Sequence, residues 1–134
     1  MIHYNMHFNP YDWDIEVYVI LNNCYLADIL SSLEDCSESD LQQAFLNVTT
    51  RINSGFIHTK NKRSIIVINK PETIEEFINV YNHEKNHLEM HICEEFHIDP
   101  HSEEAAELSG VLAKQLYSSL VDELLLYYTE VYNK

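Results

Sequence analysis

Residues 73–92 read TIEEFINVYNHEKNHLEMHI. The opening Thr73-Ile74-Glu75-Glu76 is a capping box: the Thr73 hydroxyl can accept the Glu76 amide proton while the Glu76 side chain reaches back, so a helix is predicted to start there. Ile74, Phe77, Ile78, Tyr81, Leu88 and Ile92 recur at helical spacing and mark one face for burial. Inside this helix His83-Glu84-Lys85-Asn86-His87 forms an HExxH sequence. At about 100° per residue its two histidines fall roughly opposite Ile74 and Ile92, so one face packs and the other addresses a cleft.

Downstream, Asp99 followed by Pro100 reads as an N-cap with proline at the first helical position. A second helix is predicted from there through Leu108, Leu112, Leu116 and Leu120, leaving a connection near residues 94–99. Upstream, Ile65-Ile66-Val67-Ile68 is apolar throughout, as a strand covered on both faces would be. With Phe56–Thr59 and the intervening Lys60-Asn61-Lys62-Arg63 it predicts a hairpin over Phe56–Asn69. Gly55 reads as the end of a helix over Ser39–Asn53, whose Leu41, Ala44, Phe45 and Val48 share a face. Tyr25–Leu33 reads as a shorter helix. Asp14–Ile20 alternates and is rich in β-branched and aromatic residues, a strand with which Ile2–Phe8 can pair.

Two glycines and three prolines in 134 residues are too few for a turn-dense sandwich or barrel. The expected class is therefore α+β in a single domain over 1–134, with a small antiparallel or mixed sheet packed on the HExxH helix and a second helix after it. Eight Lys and Arg stand against 22 acidic residues, a formal charge of -14 that repels nucleic-acid phosphates and anionic lipid. No apolar run reaches the 18 or so residues a membrane span needs. The first residues lack the basic and apolar segments of a leader. Cys24, Cys36 and Cys93 are an odd set without paired spacing, which suits free thiols in a reducing compartment and a cytoplasmic location.

The chemistry concentrates in HExxH. Imidazoles four residues apart lie one turn apart on one face and can share a tetrahedral zinc ion, while Glu84 projects beside them at the distance of a metal-bound water. The alternative is a polar helix face whose histidines pair with nearby acids. A catalytic zinc requires a third protein ligand. His91 continues the spacing, yet it lies about 12 Å along the axis from His83, too far for both to hold one ion. The acids Glu103, Glu104 and Glu107 open the next helix, where they also complement its dipole, and Glu107 could orient a ligand histidine. A regular antiparallel hairpin sets His87 opposite roughly residue 110, so for Glu103 to reach the metal the first helix has to break soon after Ile92. Tyr81, Tyr117, His97 and His101 are candidate oxyanion donors; Tyr81 lies on the apolar stripe and reads first as core. Cys93 reads as a buried free thiol.

The strand Ile65–Ile68, the helix Phe77–His87 with HExxH, and Glu103-Glu104-Ala105-Ala106-Glu107-Leu108-Ser109-Gly110 together resemble the small zincin-like proteins found in phage and bacterial genomes, over roughly residues 55–120. Glu103, with an acid four residues later and Gly110 seven later, is also similar to the ligand helix of gluzincins such as thermolysin. Glu107 departs from the small phage-type proteins, which commonly carry an aromatic residue there. The resemblance implies zinc held by His83, His87 and Glu103, Glu84 as general base, and a peptide or protein as substrate of a metallopeptidase. It also implies that a strand such as Ile65–Asn69 borders the cleft and pairs with an extended peptide. A second reading from a different class is a zincin scaffold, with or without a structural metal, that hydrolyses nothing and acts in binding or assembly, with Leu124-Leu125-Leu126-Tyr127-Tyr128 available for a protein partner or a homodimer.

Overall fold

A computed structural model describes residues 2–20, 54–69 and 71–132, together with the single positions 39 and 42. The helices read over Tyr25–Leu33 and Ser39–Asn53, apart from those two positions, lie outside the described residues, as do Cys24 and Cys36.

Alternation in the N-terminal segment produces two strands, β1 (Ile2–Phe8) and β2 (Trp13–Ile20), joined by a 3-10 turn at Asn9–Tyr11. They pair antiparallel with Ile2 opposite Val19 and Phe8 opposite Trp13. The hairpin follows as β3 (Ser54–Lys60) and β4 (Arg63–Asn69), with Asn61 and Lys62 both at positive φ (51° and 58°) in its two-residue turn. A right-handed strand twist favours that kind of turn. β4 runs parallel to β2 and antiparallel to β3, so the mixed sheet has the order β1-β2-β4-β3. Two expectations are corrected here. Gly55 lies within β3 rather than ending a helix. β4 is an interior strand paired on both sides, so its backbone has no free ladder for a peptide; the outer position is held by β3.

Two helices cover one face of this α+β fold. In α1 (Ile74–Glu95) Thr73 caps as predicted, its hydroxyl accepting the Glu76 amide at 3.1 Å. The helix runs unbroken through Ile92 and closes with the Ile98 amide donating to Cys93 O at 2.8 Å, His97 taking the left-handed corner at φ 55°. The second helix, α2, spans Glu103–Tyr132 and so begins three residues after the predicted start. Its cap is Ser102, whose Oγ accepts the Ala105 amide at 3.1 Å, while Asp99 makes a turn by accepting the His101 amide at 3.0 Å. An Asp before proline served the corner here and left capping to the next hydroxyl.

The core forms where the inward residues of the sheet meet the apolar stripes. Trp13, Ile15, Val17 and Val19 of β2 and Ile66 and Ile68 of β4 pack with Phe77, Tyr81, Leu88 and Ile92 of α1 and with Leu108, Leu112, Leu116 and Leu120 of α2. Ile65 and Val67, on the opposite face of β4, are buried too, as the unbroken apolar run predicted. Tyr81 has no exposed surface and its hydroxyl has no hydrogen-bond partner among the described residues. Tyr81→Phe is therefore expected to leave stability unchanged or to raise it by up to about 1 kcal/mol in urea unfolding, because it removes an unsatisfied buried donor. Among the described residues no helix is long and apolar enough to cross a membrane.

Candidate functional site

The stripe fixes α1's rotation. With Phe77, Tyr81 and Leu88 in the core, the helix turns Lys85 and Glu89 toward α2, Glu84 toward β3, and His83 outward. The rings of His83 and His87 lie 4.9 Å apart, centroid to centroid, at an interplanar angle of 75°. At that separation their nitrogens can meet at one ion about 2 Å from each. His83 is exposed and His87 half-buried.

Glu84 is different in kind. It is only 4% exposed, and no hydrogen-bond partner faces its carboxylate among the described residues. Burial pushes its pKa above the ordinary glutamate value, partly opposed by the two neighbouring histidines. It lines a cleft of about 270 Å³ with His83, Asn79, Val80, Ser54 and Gly55. A buried carboxyl group whose pKa is raised, beside two imidazoles, has the make-up of a proton acceptor.

The cleft's floor depends on Gly55. A Cβ there would stand 2.7 Å from the backbone oxygen of Val67, 3.1 Å from Val80 Cγ1 and 3.3 Å from Glu84 Cγ. The backbone oxygen belongs to the neighbouring strand and cannot swing aside, so only glycine lets β3 lie this close to Glu84. Gly55→Ala is expected to cost about 2 kcal/mol in urea unfolding through overpacking. Sequence reading saw Gly55 as a helix terminator, because a lone glycine carries no sign of whether it frees φ or admits a neighbour.

The acids of α2 stand elsewhere. Ser109 Oγ donates to Glu89 at 2.9 Å, which sets residue 109 of α2 beside residue 89 of α1 and matches the regular-hairpin register. Because α1 continues to Glu95, Glu103 sits at the corner, about 18 Å of helix rise beyond His83. Glu103, Glu104 and Glu107 are all exposed, and Glu104 accepts a bond from the Tyr11 hydroxyl at 3.4 Å. Among the described residues no three His, Cys, Asp or Glu side chains gather closely enough to hold one ion. The structure thus brings His83, His87 and Glu84 together and leaves Glu103 apart from them. Of the oxyanion candidates, Tyr81 and Tyr117 pack edge-on in or against the core, with centroids 5.6 Å apart, and His97 and His101 lie at the exposed corner. Cys93 is free and buried.

A network that sequence reading missed runs along β3. The Trp13 indole donates to Ser64 Oγ at 2.9 Å, Ser64 Oγ and Thr59 Oγ1 lie 2.7 Å apart, and Thr59 Oγ1 lies 2.7 Å from His91 Nδ1. The signal was faint: Thr59 and Ser64 occupy paired positions on the helix-facing side of a hairpin that is otherwise apolar there.

No protein-family model, curated protein or solved structure matches this chain.

Proposed function

We propose that the protein is a zinc-dependent hydrolase acting on peptide bonds, with His83 and His87 as metal ligands and Glu84 as general base. The observation that carries this reading is the buried, unpartnered Glu84 carboxylate lining a cleft beside two imidazoles 4.9 Å apart. His83 and His87 would supply two of the three protein ligands a catalytic zinc takes; Glu103, which the zincin resemblance nominates as the third, stands at the far corner of the helical hairpin, so on this reading the third ligand comes from elsewhere.

When bound, zinc would lower the pKa of its water and polarise the scissile carbonyl. Everything else falls to the chain itself. Glu84 takes a proton at its carboxylate and returns it to the leaving amine, a cycle eased by burial, which raises its pKa above the ordinary glutamate value. Gly55 lets the β3 backbone pack directly against Glu84 and so helps to fix that side chain at the cleft. Among the described residues β3, rather than β4, is the strand with an outer side on which an extended chain can be aligned.

Elemental analysis of protein purified without added metal tests the reading. Near-stoichiometric zinc is expected in the wild type and a loss of most of it in His83→Ala and in His87→Ala. Equal, negligible zinc in all three defeats the proposal. Glu103→Gln is expected to leave the zinc content unchanged, because Glu103 stands at the far corner from the two histidines; loss of zinc in that variant would overturn this placement.

A further inference from the structure

We propose that His91 is a substrate-holding hydrogen-bond donor rather than a metal ligand: the Trp13–Ser64–Thr59 chain fixes its ring with the proton on Nε2, ready for a carbonyl of an extended peptide. The assignment follows from counting protons. An indole N–H can only donate, so Ser64 Oγ accepts from Trp13. Ser64 is fully buried, and Thr59 is its other side-chain partner. Its own proton therefore goes to Thr59 Oγ1; the reverse orientation would strand a buried hydroxyl proton. Thr59 still has its own proton to place, and His91 Nδ1, 2.7 Å away, is its one remaining hydrogen-bond partner among the described residues, so we assign that proton to His91 Nδ1. That nitrogen is then an acceptor, and the neutral ring carries its hydrogen on Nε2. Burial also holds His91 below the ordinary histidine range, which keeps the ring neutral.

The Nε2 edge has no hydrogen-bond partner among the described residues. His91 lines a cavity of about 360 Å³ with Trp13, Thr59, Lys60, Lys62, Glu94 and Glu95. Two lysines and two glutamates make its charge mixed, so a neutral acceptor such as a peptide carbonyl suits it better than an anion. His91 lies seven residues beyond Glu84 on nearly the same face of α1, about 10 Å of rise, which three residues of extended chain span. The donor thus grips a peptide about three residues from the bond presented to Glu84.

The substrate role rests on the hydrolase reading; the tautomer does not. Long-range ¹H–¹⁵N correlation on histidine-labelled protein is expected to show His91 as the Nε2–H tautomer, and a mixture in Thr59→Val. An Nδ1–H ring in the wild type overturns the assignment whatever the protein cleaves. In kinetics, His91→Phe is expected to raise KM about 3- to 10-fold, the worth of one hydrogen bond. That rise, with kcat unchanged, is expected for peptides reaching four residues past the scissile bond on the His91 side, and no change for peptides reaching two. Equal effects on both lengths make His91 structural only and overturn the donor role. Thr59→Val, which keeps the ring and its packing, repeats the comparison where His91→Phe loosens the fold. A wild type with the Nε2–H ring that cleaves neither peptide defeats the hydrolase reading and the substrate role together.

Discussion

Glu84→Gln is expected to reduce peptide hydrolysis by a factor of about 10²–10⁴, the usual share of a positioned general base, while zinc content stays at the wild-type level. The same substitution is expected to raise thermal stability at neutral pH in chelator-treated protein, and the sign follows from linkage. Burial raises the Glu84 pKa in the folded state above its unfolded value. The folded protein therefore binds this proton more tightly than the unfolded chain does. The associated stability is fully present below the unfolded glutamate value, near about 4.3, and is lost as pH rises through the higher folded-state value. Ionising the buried Glu84 carries a desolvation cost, whereas glutamine has no charge to bury there. The melting-temperature difference between variant and wild type should thus widen between pH 4 and pH 7. A residue serving only as a solvated surface acid would show neither the lost activity nor the pH-dependent gain. Activity surviving in Glu84→Gln would take the general-base role away from it.

The two effects pull in opposite directions because the site is built against local stability. A glutamate on a helix face normally keeps its charge in water. Here the stripe of Phe77, Tyr81 and Leu88 rotates α1 so that Glu84 turns inward against Gly55 and Val80. The HExxH spacing and the capping box made that helix, its start and the His83–His87 pair legible in the sequence, since each depends only on residues within a few turns. The hairpin and the doubly buried β4 were legible for the same reason. What escaped were features that depend on pairing between distant segments. Nothing in Ile65–Asn69 alone tells whether it lies at the edge or inside, and only its parallel register with β2 decides that. The Asp99-Pro100 signal was real chemistry put to another use, an Asx turn at the corner, with Ser102 capping instead. Thr59 and Ser64 meet Trp13 and His91 only once β2, the hairpin and α1 are assembled.

Lys85 carries the second large effect. Lys85 is the first variable position of HExxH; its side chain is only 8% exposed and its ammonium is paired with Glu89 between the two helices. Ser109 of α2 joins them, donating to Glu89 at 2.9 Å and lying 3.5 Å from the lysine nitrogen. Lys85→Ala would leave a mostly buried carboxylate with a single hydroxyl for company. The expected loss is about 3 kcal/mol, at the lower end for a broken buried pair because Glu89 keeps 18% of its side-chain surface in water. For a chain of this size that is a fall in melting temperature of about 10 °C. The double variant Lys85→Met with Glu89→Leu should recover most of it, since two apolar side chains of similar volume need no partner. Urea unfolding of wild type, Lys85→Met, Glu89→Leu and the double variant closes the cycle. A near-zero cost for Lys85→Ala would mean that the pair spends its time open to solvent, and that the apolar contacts of Leu108, Leu112 and Leu116 alone hold α2 against α1. A full cost recovered in the double variant would show that the loss in Lys85→Ala comes from the Glu89 carboxylate left unpaired between the helices rather than from a net attraction of the pair.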